Sequence, residues 1–378
     1  MTNTVVHSIV YEGTGNSAST FASNSHKIAV DSITGRLWAV YVRQATATGG
    51  GETPYSQVFA AYSDDSGSTW TEERVSDIAY DQHHPGLAID SLGQVHVVWT
   101  GMGFGANPIT SNIQYRCRTT SWQAREAVTD EVDMQDESAI AIDTMGNVHV
   151  VWAGYSVAHP FNKGIQYRCR TTSWQAMEEV SSGTRYNQDD PSVAVDSVGR
   201  VHVVWSGGLD TLSDSIMYRQ RTDSWQALEL VAGLGYSEHQ TRPSIAVDDT
   251  DVVHVVWDGT GWGENIVHFN IQYRQRTDSW QSQEAITDIA HNQIAPSIGI
   301  SADGDPQVVW ANHVPQVQFR RRASGSWQEQ IEITEELYDN DYPGISARND
   351  HIVWTGDTGG YTVFYGTLGE PGGYALWW

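Results

Sequence analysis

Three groups of side chains in this chain are of types that do chemistry. Histidine recurs as His96, His149, His202 and His254 inside repeated V-H-V-V-W runs and as His351 in the related H-I-V-W, a residue suited to metal binding or proton transfer. Acids stand as Asp81, Asp136, Glu137, Asp189, Asp190 and Asp341 just ahead of apolar runs, where carboxylates could act as general acids and bases or hold a cation. Arg43, Arg185 and Arg242 lie apart from the repeated segment that contains most arginines, and arginine clamps a carboxylate through two parallel hydrogen bonds. A fourth stretch, Ser63-Asp64-Asp65-Ser66-Gly67-Ser68-Thr69-Trp70, sets two carboxylates side by side and could be a site or a turn.

The elements that position these groups are repeats. An apolar run ending in Asp, a glycine turn, "VHVVW", a variable loop, "QYRxRT" and then "SWQ" recur about every 53 residues, with end markers Asp31, Asp90, Asp143, Asp196 and Asp248 and with Ser301 and Arg348 at the matching later places. Each segment alternates side chains with the two-residue period of a strand and is bounded by Gly, Asp, Ser and Thr. Units of this length hold four short strands, which is a propeller blade. The centre of the first strand is always small (Ala29, Ala88, Ala141, Ala194, Ala246, Gly299, Ser346), as strands converging on an axis require. The last unit supplies only three strands, so residues 5–12 are expected to complete it. The predicted fold is thus all-β, a single seven-bladed propeller of four-stranded antiparallel blades, closed by the N-terminal strand. The blades fall near 26–75, 84–129, 137–181, 190–232, 242–287, 295–334 and 342–368 plus 5–12.

Composition narrows the partners. With 21 Lys+Arg against 46 Asp+Glu the formal net charge is -25, which repels polyanions and disfavours nucleic acid. No apolar run is long enough to span a bilayer and no export signal follows Met1; a surface, extracellular or virion-associated setting is the expectation. Cys117 and Cys169 occupy equivalent places in neighbouring repeats, too far apart to bridge, and read as free thiols.

Equivalent residues of different blades splay radially, so the second-strand histidines cannot share a metal with bonds near 2 Å and read as packing residues. The tryptophans ending the same strand, Trp99, Trp152, Trp205, Trp257, Trp310 and Trp354, read as inter-blade packing rather than as sugar platforms. One face of the disc carries repetitive turns; the other carries the divergent loops between strands two and three and between blades, where function usually resides. His83, His84, Asp136, Asp189, Asp190, Arg185, His239, Arg242, Arg43 and Trp262 are its ligand-binding candidates. No cofactor is implied. Ca2+ on the acidic loops is open, although no loop of alternating oxygen ligands occurs.

Ser63-x-Asp65-x-Gly67-x-Thr69-Trp70 resembles the Asp-box, or BNR repeat, of sialidase-like propellers. The resemblance implies a turn device: the Asp caps backbone amides, the Gly takes a positive φ and the Trp tucks between strands. "TRPSIAV" around Arg242 is similar to the arginine signature of sialidases, which hold a substrate carboxylate with three arginines; that signature lies near the N-terminus of a six-bladed propeller. "HNQIAPSIGISADGDPQVVWANHVPQVQFRRR" resembles the repeat of seven-bladed polysaccharide lyases, which implies His291 and His313 as catalytic residues with Tyr338 or Tyr342. The expectation is a glycan-directed binding propeller with one asymmetric site, partnered by a carbohydrate or glycoconjugate. The alternatives are a polysaccharide lyase, a sialidase-like glycosidase, or a protein-binding or structural propeller.

Overall fold

The computed structural model describes residues 7–11, 18–19, 26–48, 53–156, 160–181, 186–208, 214–233, 238–312, 316–334, 340–346, 350–357 and 361–368. Every regular element among them is a strand, arranged as seven antiparallel blades of four strand positions each. No helix among the described residues is long and apolar enough to cross a membrane.

Blade four shows how the repeat builds. Its strands, from the axis outward, are Gln188–Val195, Val201–Gly208, Asp214–Arg221 and Glu229–Ala232. The second strand is buried along its whole length because adjacent blades cover both its faces, which is why its sequence reads as a continuous apolar run. The turn before it is closed by Asp196, whose Oδ1 accepts the amides of Val198 and Arg200 at 3.2 and 2.8 Å, with Gly199 at φ +84°. The other carboxylate oxygen accepts from His202 Nε2 at 3.1 Å, and His202 Nδ1 lies 2.7 Å from the Tyr218 hydroxyl. His96, His149 and His254 are held by the same Asp and Tyr partners, and His351 by Tyr365. The histidine ring is therefore occupied by internal bonds, and no group of three or more possible metal ligands occurs among the described residues.

The tryptophan ring is internal too. Trp99, Trp152, Trp205, Trp257 and Trp310 are 0 % exposed, and each indole donates to the glutamine opening its own first strand, Gln82, Gln135, Gln188, Gln240 or Gln293. An apolar cluster fills each interface between consecutive blades. First strands approach so closely at the axis that a Cβ on Gly299 would lie 2.1 Å from the Ser346 carbonyl oxygen. Cys117 and Cys169 are free.

The ring closes as the repeat count requires: His7–Tyr11 pairs antiparallel with Tyr361–Thr367, His7 opposite Gly366 and Ser8 opposite Tyr365. Blade one departs from the repeat, because its inner strand is split into Ala18–Ser19, paired to Val42 and Arg43, and Ile28–Val30, paired to residues 37–39.

Candidate functional site

Each inner strand of blades two to seven begins with a bulge. The register with the second strand shifts just after its second residue, and the third residue stands at positive φ: His84, Glu137, Asp190, Arg242, Ala295 and Tyr342, at 50 to 56°. None is glycine, and each such conformation costs on the order of 1 kcal/mol or more, a strain that clusters at ligand sites. In five of the six the next residue is proline, which cannot donate to the ladder and so suits the break. These strand starts pair with the ends of second strands, so the six residues ring the channel on the face that carries the two-to-three loops.

Carboxylates tie the ring together. His84 Nδ1 lies 2.8 Å from Asp136 Oδ1, and Asp136 also accepts the Glu137 amide at 2.9 Å. Glu137 accepts the amide of Asp190 from the next blade at 3.0 Å. Asp190 in turn accepts the Ser206 hydroxyl at 3.2 Å and, at 3.4 Å, the Arg242 amide one blade on. Arg242 Nε donates to Asp258 at 2.7 Å, and Asp258, fully buried, also accepts Thr241 Oγ1 at 2.5 Å and the Ala295 amide at 2.8 Å. One charged network thus runs over blades two to five and reaches blade six through a backbone amide.

The chain's only two lysines also converge here. Lys163 ends the two-to-three loop of blade three and pairs with Asp189 and, at 3.9 Å, with Glu137. Lys27 is buried, donates to the Pro85 carbonyl beside the blade-two bulge, and is brought down to about 7 by that burial.

Burial, and then the charge of Asp190, push the Glu137 carboxyl up to about 7, so it keeps a proton near neutrality. Burial also raises Asp190, against the pull of Arg242. For Asp136, burial works upward but the His84 bond outweighs it and the carboxyl stays below its usual range. Burial likewise opposes the charges of Arg242 and Lys163, and the surrounding carboxylates overcome it. The mouth therefore holds a carboxyl that titrates near neutrality, Glu137, beside an ionised one, Asp136, a guanidinium and an ammonium, a set able to hydrogen-bond hydroxyls or to pass a proton.

Of the sequence candidates, His84, Asp136, Asp189, Asp190 and Arg242 share this network, and Tyr342 is on the ring at the start of the blade-seven inner strand. His83 is exposed one residue from His84, their rings 6.2 Å apart. Trp262 stands 45 % exposed in the loop that leaves Asp258. Others do not join. His239 is exposed and pairs with Asp214 at 3.0 Å. Arg43 binds Glu72 on the outermost strand of blade one, with its guanidinium carbon 3.7 Å from the Phe59 ring centre, so its charge is spent at the rim of the disc. His291 is exposed before the inner strand of blade six. Arg185, His313 and Tyr338 lie outside the described residues, and of Asp341 only the backbone is described.

Sequence reasoning missed Lys163 and Asp258. Both had a signal: lysine is rare in this chain, and Asp258 is an acid at a repeat position otherwise held by Val42, Thr100, Ala153, Ser206, Ala311 and Thr355.

No protein-family profile matches the chain, and no curated protein matches it by sequence. By structure the chain is similar to an ulvan lyase (TM-score 0.65, 9 % identity, covering 97 % of this chain and 96 % of that one). It is also similar to the polysaccharide lyase Uly1 (0.56, 8 %, 95 % and 90 %) and to an α-L-arabinofuranosidase from Fusarium graminearum (0.54, 11 %, 76 % and 92 %). At these identities the likeness is one of fold: this chain is a seven-bladed β-propeller.

Proposed function

We propose that the chain is a glycan-directed binding propeller whose single asymmetric site is the channel mouth over blades two to five. The observation that carries this reading is the ring of non-glycine residues at positive φ, three of which, Asp190, Arg242 and Ala295, have their amides held by carboxylates of the preceding blade. A propeller core does not need buried charge at its mouth, whereas a site for a polyhydroxylated ligand needs fixed donors and acceptors. That similar folds belong to polysaccharide lyases and an arabinofuranosidase supports a carbohydrate partner.

A glycan array read together with product-release assays tests it. Retention of a glycan without turnover, lost in Arg242→Ala, is the expected result. Absence of binding to every glycan would sink the reading and leave recognition of a protein surface.

A second reading, cleavage of a glycosidic bond, is favoured by Glu137, because a general acid must carry its proton near neutral pH. Release of sugar by the native chain that disappears in Glu137→Gln would establish it. Elimination that depends on His291 and Tyr342 would instead point to lyase chemistry.

A further inference from the structure

Blades two and five carry one and the same loop between their second and third strands. Gly101-Met-Gly-Phe-Gly-Ala-Asn107 and Gly259-Thr-Gly-Trp-Gly-Glu-Asn265 run in register to Asn112 and Asn270 without an insertion. Gly103 and Gly105 have φ of 85 and 83°, Gly261 and Gly263 of 84 and 82°. Gly103 donates to the Pro108 carbonyl at 2.7 Å and Gly261 to that of Ile266 at 2.8 Å. Asp130 accepts the amides of Ala106 and Asn107 at 2.8 and 2.9 Å, and Asp288 those of Glu264 and Asn265 at the same distances. The expectation that these loops all diverge fails for this pair.

Both loops lift an aromatic ring between two left-handed glycines: Phe104 and Trp262. Phe104 is half-buried, with the Arg125 guanidinium carbon 4.4 Å from its ring centre. Trp262 is 45 % exposed, and Gln283 stands at the place of Arg125. The loops belong to the two end blades of the charged network: His84 is in blade two and the Arg242–Asp258 pair in blade five.

We propose that Phe104 and Trp262 are paired sugar platforms that seat the two ends of one linear, uncharged glycan lying along the arc of blades two to five. This deepens the glycan reading and rests on it. A terminal sugar needs one stacking face; two matched rings with hydrogen-bonding groups between them fit a chain several units long. The charge of the ligand follows from what lies between. The acids Asp136, Asp189, Asp190 and Asp258, with the Glu137 carboxyl, are set against Lys163, Arg242 and His84 in the network and Lys27 beside it, and the whole chain is at -25, so a uronate or sialate polymer is repelled where neutral hydroxyls are accepted.

Titration calorimetry of the full chain with graded lengths of arabinan, xylan and mannan fragments, and with alginate fragments as the charged arm, tests this. Affinity for one neutral series should climb with length to a plateau. Trp262→Ala and Phe104→Leu, the latter keeping an apolar side chain beneath Arg125, should each lower long-fragment affinity about tenfold while sparing the shortest fragments. Unchanged melting temperatures verify that both variants fold. A flat length dependence, tighter binding of alginate, or long-fragment binding indifferent to either variant would each overturn the proposal. If Arg242→Ala abolishes binding that both aromatic variants retain, only the platforms fall. If no glycan binds at all, the glycan reading falls with them.

Discussion

Blade seven meets its neighbours differently from the way blades one to six meet one another. At each of the five interfaces from blade one to blade six, an arginine on the third strand grips a glutamate on the fourth strand of the preceding blade: Arg118 with Glu73, Arg170 with Glu126, Arg221 with Glu178, Arg276 with Glu229 and Arg322 with Glu284. The third strands of blades seven and one, Tyr361–Thr367 and Pro54–Ser63, contain no arginine, so neither interface of blade seven has this stitch.

The seam uses the Ser63–Trp70 turn instead. Asp65 accepts the Thr69 amide and hydroxyl at 2.8 and 2.6 Å, and these bonds with the Ser63 hydroxyl hold it at about 2. Gly67, at φ +88°, lies against the Tyr365 ring, and Trp70 meets the same ring edge-on at 5.2 Å. The Trp70 indole donates to Ser8 Oγ and to the Gly67 carbonyl, both at 3.1 Å. At the equivalent Trp122, Trp174, Trp225 and Trp280 the indole nitrogen finds no partner among the described residues. The one complete copy of the motif therefore sits where residues 8 and 365 must be brought together, the contact of highest loop entropy in the ring. Asp64, the other acid of the stretch, pairs with Arg36 at 2.6 Å.

The largest effect expected from this contrast is on removing residues 1–11. Blade seven would lose its outer strand and present an unpaired edge, with a loss of more than about 4 kcal/mol. Chemical denaturation and light scattering should show a destabilised, self-associating protein. Next comes Gly67→Ala, whose Cβ would sit 2.0 Å from Tyr365 Cε1 in a conformation foreign to alanine; about 3 kcal/mol is expected. The corresponding three-to-four turn of blade six, where Gly325 stands at φ +80° and a Cβ on it meets nothing within 4 Å, provides the contrast, since Gly325→Ala there should cost only about 1 kcal/mol.

Acid should also separate the two regions. Among the described residues no aspartate pairs with His351 as one does with His96, His149, His202 and His254, and burial brings it down to about 4 from 6.5. The unfolded chain then binds the proton first on acidification, so this contribution is intact above 6.5 and is lost as pH falls toward 4, about 3 kcal/mol at most. At His149 burial pulls downward but Asp143 outweighs it and the pKa rises, so its contribution is present in acid and fades as pH rises. Amide protection, corrected for the intrinsic exchange rate at each pH, should fall between pH 7 and 5 in 361–367 before it does in 164–170; an equal fall would refute the contrast.

Much of this was legible in the sequence. The repeat, its small axial residues and the missing last strand lead to a ring closed by His7–Tyr11. The site was legible only in part, because lying on one face is not the same as meeting there. His239, His291 and Arg43 share loops or strand ends with the ring, yet His239 and Arg43 are held by acids of their own, Asp214 and Glu72, and His291 stands exposed. The bulge itself left a trace in His84-Pro85, Asp190-Pro191, Arg242-Pro243, Ala295-Pro296 and Tyr342-Pro343, but a positive φ depends on register with the next strand, which no local pattern states.

The smallest effect concerns the stitches themselves. Arg221 and Glu178 form two parallel bonds of 2.8 Å at side-chain exposures of 25 and 33 %, so water and salt screen the pair and its coupling is expected to be about 0.5 to 1 kcal/mol. A double-mutant cycle with Arg221→Met and Glu178→Gln should find that value at low salt and less at high salt. The same cycle at Ser8 and Trp70, with Ser8→Ala and Trp70→Phe, involves no charge, so its coupling should not change with salt. If the seam pair proved as salt-sensitive as the stitch, the two kinds of interface would not be chemically distinct, and the placing of the complete turn at the closure would need another cause.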